Sequence, residues 1–129
     1  MKRVYSLKGR KIFKEVYQKG KKFYGKGILL FAYRPTVPEE YDSGKEEGLS
    51  LQNTKIGITI NKRFGKAPAR NRAKRQIRAV CSEFISEMSE GYCIIIRPGE
   101  GFKELSFNRA REEIRNLFKK AGVLENELD

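Results

Sequence analysis

The chain has 129 residues, 28 Lys and Arg against 16 Asp and Glu, a formal net charge of +12 and no histidine. That length suits one domain around one core, and the charge points to a polyanion, with nucleic acid ahead of an acidic membrane. Without histidine the commonest general base, the His-dependent triads and every His-containing metal site are excluded, which argues against a self-sufficient hydrolase.

The first 34 residues hold 11 cations and one anion. Within them Ser6 is a candidate helix cap, and Leu7, Ile12, Phe13, Val16 and Tyr17 form an apolar stripe that Gly20 ends. Lys22–Gly27 reads as a short strand or turn, and Ile28–Tyr33 as a strand. Residues 35–54, with one cation and five anions, read as a long acidic connection. From Lys55 to Asn61 the alternation is strict, so Ile56, Ile58 and Ile60 face a core while Gly57, Thr59 and Asn61 line the other face. Gly65 and Pro68 mark a turn into a helix that runs to about Met88, with Ile77, Val80, Cys81, Phe84 and Ile85 at helical spacing. Tyr92–Ile96 is apolar throughout, as for a strand covered on both faces. Pro98, Gly99 and Gly101 make a loop, and Ser106 caps a last helix through Phe107, Ala110, Ile114, Leu117 and Phe118 to Gly122. The expected organisation is one domain over residues 1–122 with an acidic loop at 35–54 and a frayed acidic tail at 123–129. Cys81 and Cys93 match no CxxC pattern and read as small buried hydrophobes. No run reaches the roughly 18 apolar residues of a membrane span and no secretory signal opens the chain, so a cytoplasmic protein without membrane contact is expected.

The segment from Lys62 to Arg78 carries the most information. Nine cations and no anion lie between Lys55 and Val80, so no acid within that stretch of the helix can neutralise Arg70, Arg72, Lys74, Arg75 and Arg78. Like charges four apart, Arg70/Lys74 and Lys74/Arg78, each cost a few tenths of a kcal/mol. Phosphate would offset that cost: guanidinium forks bind its oxygens in pairs, and a helix N-terminus favours negative charge. Charge alone does not separate RNA from DNA.

Lys62-Arg63-Phe64-Gly65-Lys66-Ala67, then Arg70-Asn71-Arg72, then Lys74-Arg75 and Arg78, resembles the signature of the bacterial ribonuclease P protein component. Leu7, Phe13, Tyr17 and Gly20, Phe31 and Ile56-Gly57-Ile58 fit the same family, so the resemblance covers most of residues 5–118. It implies an α+β fold, a two-layer α-β sandwich with about four strands, three helices and a left-handed βαβ crossover, against the usual right-handed preference. It implies an accessory subunit, one to one with the ribonuclease P RNA, in an endoribonuclease that removes the 5′ leader of precursor tRNA. Catalysis then belongs to the RNA and its Mg²⁺; no catalytic residue, metal site or cofactor is expected on the protein. By the same resemblance Lys62, Arg63, Lys66, Arg70, Asn71, Arg72, Lys74, Arg75 and Arg78 face the catalytic RNA. Phe13, Tyr17 and Phe31, with Thr59 and Asn61, line a cleft for the single-stranded leader, to which Lys11, Lys14 and Lys62 add charge. Stacking of single strands on aromatic rings, worth about 1–3 kcal/mol per base, supports that cleft on physical grounds.

Three positions depart from the family pattern: Ala79, where a polar or acidic residue is usual; Cys81, where a larger apolar residue is common; and the long acidic connection. Other readings are a ribosome-associated RNA-binding module, which shares the charge but needs no Arg70-Asn71-Arg72 spacing, and a DNA-binding module with the basic helix in a major groove. A protein-only nuclease would need clustered carboxylates for two metals. The two aspartates, Asp42 and Asp129, do not offer a cluster, and Glu83, Glu87 and Glu90 read as a solvated helix face.

Overall fold

The computed structural model describes residues 5–35 and 53–125. In chain order these form α1 (Arg10–Lys19), β1 (Lys21–Gly25), β2 (Ile28–Tyr33), β3 (Lys55–Ile58), a 3-10 turn (Lys62–Phe64), α2 (Ala67–Phe84), a second 3-10 turn (Ile85–Glu87), β4 (Cys93–Pro98), a third 3-10 turn (Glu100–Glu104) and α3 (Phe107–Lys120). The architecture is α+β, with three helices and a four-stranded mixed sheet in the order β1-β2-β4-β3. β1 and β4 lie antiparallel on either side of β2, and β3 runs parallel to β4 with α2 as the connection between them. The expected acidic connection lies outside the described residues from 36 to 52.

Alternation sends the two faces of the sheet to different partners. Leu30, Ala32, Ile56, Ile94 and Ile96 pack with Ile77, Val80, Phe84, Ile114, Leu117 and Phe118 of α2 and α3 in the main core. Phe31, Cys93 and Ile95 turn to the opposite face, where Leu7 and the wholly buried Val16 of α1 cover them. β4 is therefore enclosed on both sides over its apolar run from Cys93 to Ile96.

Several local expectations are revised by this packing. Ser6 does not cap α1; it bridges to Ile56 beside the edge strand β3, and Leu7 N donates to Ile56 O at 3.0 Å. The helix starts three residues later, after Gly9 turns the chain at a φ of 110°. β3 ends at Ile58, yet Ile60 still packs against the main core. α2 ends at Phe84 and a 3-10 turn over Ile85–Glu87 carries the chain to Met88, which is buried. Pro98 closes β4 instead of opening the loop. Ser106 caps α3 as expected, accepting from Arg109 N at 3.1 Å, but Phe107 is 40% exposed. The tail expected to fray from residue 123 is held at its start. Val123 and Leu124 are buried, both donate their N–H to Phe118 O, and Val123 O accepts from Ser89 N.

The far end of the acidic connection is also held. Thr54 is the one buried polar residue among those described, and its hydroxyl donates to Ser89 O and accepts from Tyr92 N. At the near end the Arg34 guanidinium lies 5.2 Å from the Tyr92 ring centroid.

Candidate nucleic-acid interface

The strand register places Lys22, Phe31, Ile95 and Gly57 in one row across all four strands, on the face under α1. The next row holds Tyr24, Leu29 and Arg97, and Thr59 continues it past the end of β3, its N–H donating to Ile96 O at 3.1 Å. α1 covers Phe31, Ile95 and Gly57 of the first row, where Lys22 stays exposed at the edge, and leaves the second largely open, with Tyr24 67% exposed and Arg97 exposed. The boundary between them is a partly open aromatic cleft.

Tyr17 stands at that boundary. Its ring meets Phe31 edge-on, centroids 4.8 Å apart and planes at 85°, and its hydroxyl lies 3.1 Å from Thr59 Oγ1. Phe13, half-buried, sits over Gly57, which has no side chain to push it away. Phe31 is only 4% exposed, so it is the floor that supports Tyr17 and not a surface open to solvent. Two cations complete the cleft: Lys22 Nζ lies 5.7 Å from the Phe31 centroid and the Arg97 guanidinium 5.9 Å from that of Tyr17. Sequence reasoning missed both. The signal was present in the alternation of β4, which puts Arg97 on the same face as Cys93 and Ile95. Lys14 is exposed and follows Tyr17 around α1 by about 60° at 100° per residue, whereas Lys11 is exposed and turned further outward.

At the opposite edge of α1, Tyr33 donates to Glu15 Oε2 at 3.1 Å. Desolvation, then this bond, raise its pKa above the ordinary phenol value. Burial likewise pushes the Cys93 thiol up, against a smaller downward pull from Lys55, and pushes Cys81 up to about 12. Both thiols are free and buried, so neither is a nucleophile at neutral pH.

The chain passes directly from Thr59 into the basic turn. Asn61 Oδ1 accepts from Arg63 N at 3.0 Å and so caps the 3-10 turn over Lys62–Phe64, whose Phe64 is buried in the main core. This gives Asn61 a local structural task. Lys62, Arg63 and Lys66 are exposed around the turn. α2 follows with Pro68 in its first turn, where a missing N–H costs nothing. Ala73, Ile77, Val80, Cys81 and Phe84 bury one face. On the flank away from it Ala67, Pro68, Asn71, Lys74, Arg75 and Arg78 line one open groove. Arg72 is exposed about 60° beyond Arg75 and outside this groove.

Arg70 is different. It sits next to the buried face and its Nη1 donates to Gly65 O at 2.6 Å, tying the turn to the helix. Among the described residues no carboxylate forms an ion pair with any cation from Lys55 to Arg78; ion pairs lie elsewhere, at Lys19–Glu15, Arg109–Glu113 and Arg111–Glu83. The positive charge of this face is therefore not neutralised within the described protein. Nor do the described residues include a group of three His, Cys, Asp or Glu able to hold a metal ion, or a helix long and apolar enough to cross a membrane.

A small α+β domain whose sheet carries an aromatic cleft, continuous with a cationic turn and a helix that holds no acid before Glu83, defines an RNA-binding class of protein. The family model for ribonuclease P matches residues 1–122. Among relatives, the ribonuclease P protein component of Microcystis aeruginosa is 33% identical over 124 residues, covering 94% of this chain and 93% of the relative. That of Symbiobacterium thermophilum is 27% identical over 98% of this chain and 99% of its own. The chain belongs to the ribonuclease P protein component family, the protein subunits of a tRNA-processing endoribonuclease. Solved structures share the fold. The Staphylococcus aureus RNase P protein superposes with a TM-score of 0.77 at 20% identity, over 94% of this chain and 98% of that one. The Thermotoga maritima RNase P protein gives 0.71 at 23% identity, over 89% and 96%.

Proposed function

We propose that the protein binds the catalytic RNA of ribonuclease P through the basic turn and α2, and the 5′ leader of precursor tRNA through the cleft beside α1. The observation that carries this reading is the bond between Tyr17 and Thr59. It closes the aromatic cleft three residues before Lys62, so one continuous surface offers stacking rings and then unneutralised cations. Single-stranded RNA needs the first for its bases and the second for its phosphates.

In this reading Phe13 and Tyr17 present ring surface to leader bases over the Phe31 floor, with Thr59 orienting Tyr17. Lys14, Lys22 and Arg97 track the leader backbone, and Lys11 contributes from further out. Lys62, Arg63, Lys66, Asn71, Arg72, Lys74, Arg75 and Arg78 contact phosphates of the catalytic RNA, while Arg70 holds the turn in shape. The protein supplies no acid, base or nucleophile. Bond cleavage belongs to the RNA and its Mg²⁺, and the protein assists by raising precursor affinity and by countering phosphate repulsion around that site. One protein per RNA, acting in the cytoplasm, completes the reading.

The test is precursor tRNA cleavage at low Mg²⁺ by a bacterial ribonuclease P RNA, with and without this protein. An equally charged unrelated protein and the protein alone serve as controls. Stimulation specific to this protein, with none from the protein alone, is expected. Equal stimulation by the control would reduce the effect to charge screening, and cleavage by the protein alone would overturn the mechanism.

A further inference from the structure

We infer that Lys103, from the connection between β4 and α3, forms with Arg70 a two-cation site at the Gly65 turn that takes one phosphate of the catalytic RNA backbone. The inference rests on the proposed RNA face and extends it to a third element of the fold. The 3-10 turn over Glu100–Glu104 is anchored by the buried Phe102. Its exposed neighbour Lys103 crosses to the basic turn, where Nζ lies 5.0 Å from the Phe64 ring centroid. The same Nζ comes within 3.5 Å of where a Cβ on Gly65 would stand. At the same glycine, Arg70 Nη1 donates to Gly65 O at 2.6 Å.

An ammonium and a guanidinium thus converge on a single residue without a side chain. Like charges held so near repel. The Phe64 ring and the Gly65 carbonyl each favour one of the two cations, but neither carries a negative charge. The nearest acids in sequence, Glu100 and Glu104, are exposed on the same turn as Lys103, and neither forms an ion pair with it. An anion between the two cations removes the repulsion and gains two charge-assisted bonds. Arg70 has N–H donors beyond the one spent on Gly65, and Lys103 has three. A phosphodiester, with one charge shared by two oxygens, matches a pair of cationic donors gathered at one glycine. Because Phe64 holds the Lys103 ammonium in place, less side-chain freedom is lost on binding than for a free surface lysine.

Binding of a bacterial ribonuclease P RNA, measured by titration at several concentrations between about 0.1 and 0.4 M salt, tests the site. Wild type is compared with Lys103→Ala, Lys103→Arg and Lys120→Ala, the last an exposed lysine at the end of α3. Loss of one phosphate contact is expected to make the plot of log affinity against log salt shallower by about 0.7–0.9 in Lys103→Ala, with binding weakened roughly three- to tenfold near physiological salt. Lys103→Arg should keep the wild-type slope. An unchanged slope in Lys103→Ala would overturn the site, as would an equal change in Lys120→Ala, which would mean net charge alone. Wild-type protein that binds this RNA no better than an unrelated RNA of equal length would instead refute the underlying RNA reading.

Discussion

The Phe13 ring lies so close above Gly57 that a Cβ at Gly57 would stand 2.6 Å from Phe13 Cζ and 3.1 Å from Cε2. The ring of α1 thus rests on bare backbone of β3, and the height of the helix over the sheet depends on that glycine. Any side chain there must lift Phe13 and, with it, the rim of the cleft.

Gly57→Ala is expected to destabilise the fold by about 1–3 kcal/mol, the usual cost of overpacking. Phe13→Leu in the same chain should recover part of the loss. Urea unfolding of the two single variants and the double variant checks this through the coupling term. Strictly additive losses would mean the ring does not oppose the added methyl.

Tyr17 performs two separable tasks. Its hydroxyl bonds Thr59, so Tyr17→Phe should lose only about 0.5–1.5 kcal/mol of stability and keep its stacking surface. Tyr17→Ala should weaken binding of precursor tRNA by about 1–3 kcal/mol per base unstacked and leave mature tRNA unaffected. Equal losses for both RNAs in a binding assay would contradict a leader-specific cleft.

Arg70 and Arg72 flank Asn71 in sequence but differ in structure. Arg70 is half-buried on Gly65 O, whereas Arg72 is exposed. Arg70→Ala should therefore cost about 1–2 kcal/mol of stability as well as RNA affinity, and Arg72→Ala affinity alone. Thermal unfolding without RNA separates them, and identical melting temperatures would remove the structural role given to Arg70.

Thr54 joins Ser89 O and Tyr92 N through one hydroxyl. Thr54→Val keeps the shape and strands both partners, so a loss of about 1–3 kcal/mol is expected in denaturant unfolding. Thr54→Ser, which keeps the hydroxyl, should lose less.

Burial pushes the Cys81 thiol up to about 12 from an ordinary value of 9.0. The folded state therefore keeps a proton that the unfolded chain gives up. The corresponding stability is present in full below pH 9.0 and is lost as pH rises toward 12. Alkaline unfolding monitored by circular dichroism should show Cys81→Ala with a weaker loss over that window than wild type. At neutral pH a thiol reagent should modify Cys81 only as fast as the protein opens.

Much of this was legible in the sequence, for identifiable reasons. Acid-free charge from Lys55 to Val80, the alternation of Ile56, Gly57 and Ile58, and the apolar run of β4 are local patterns, and charge and periodicity are properties of a chain before it folds. They determined a basic helix, a sheet with two faces and a polyanionic partner. Long-range packing decided the rest. Ser6 became a bridge to Ile56 because a neighbouring strand offered backbone partners, an option no local cap rule can see. Phe31 became a floor because α1 crossed above it. Arg97, Lys22 and Lys103 reached Tyr17, Phe31 and Phe64 only once register and turns brought distant segments together. Which cations share a site is set by spatial neighbours, and those exist only in the folded chain.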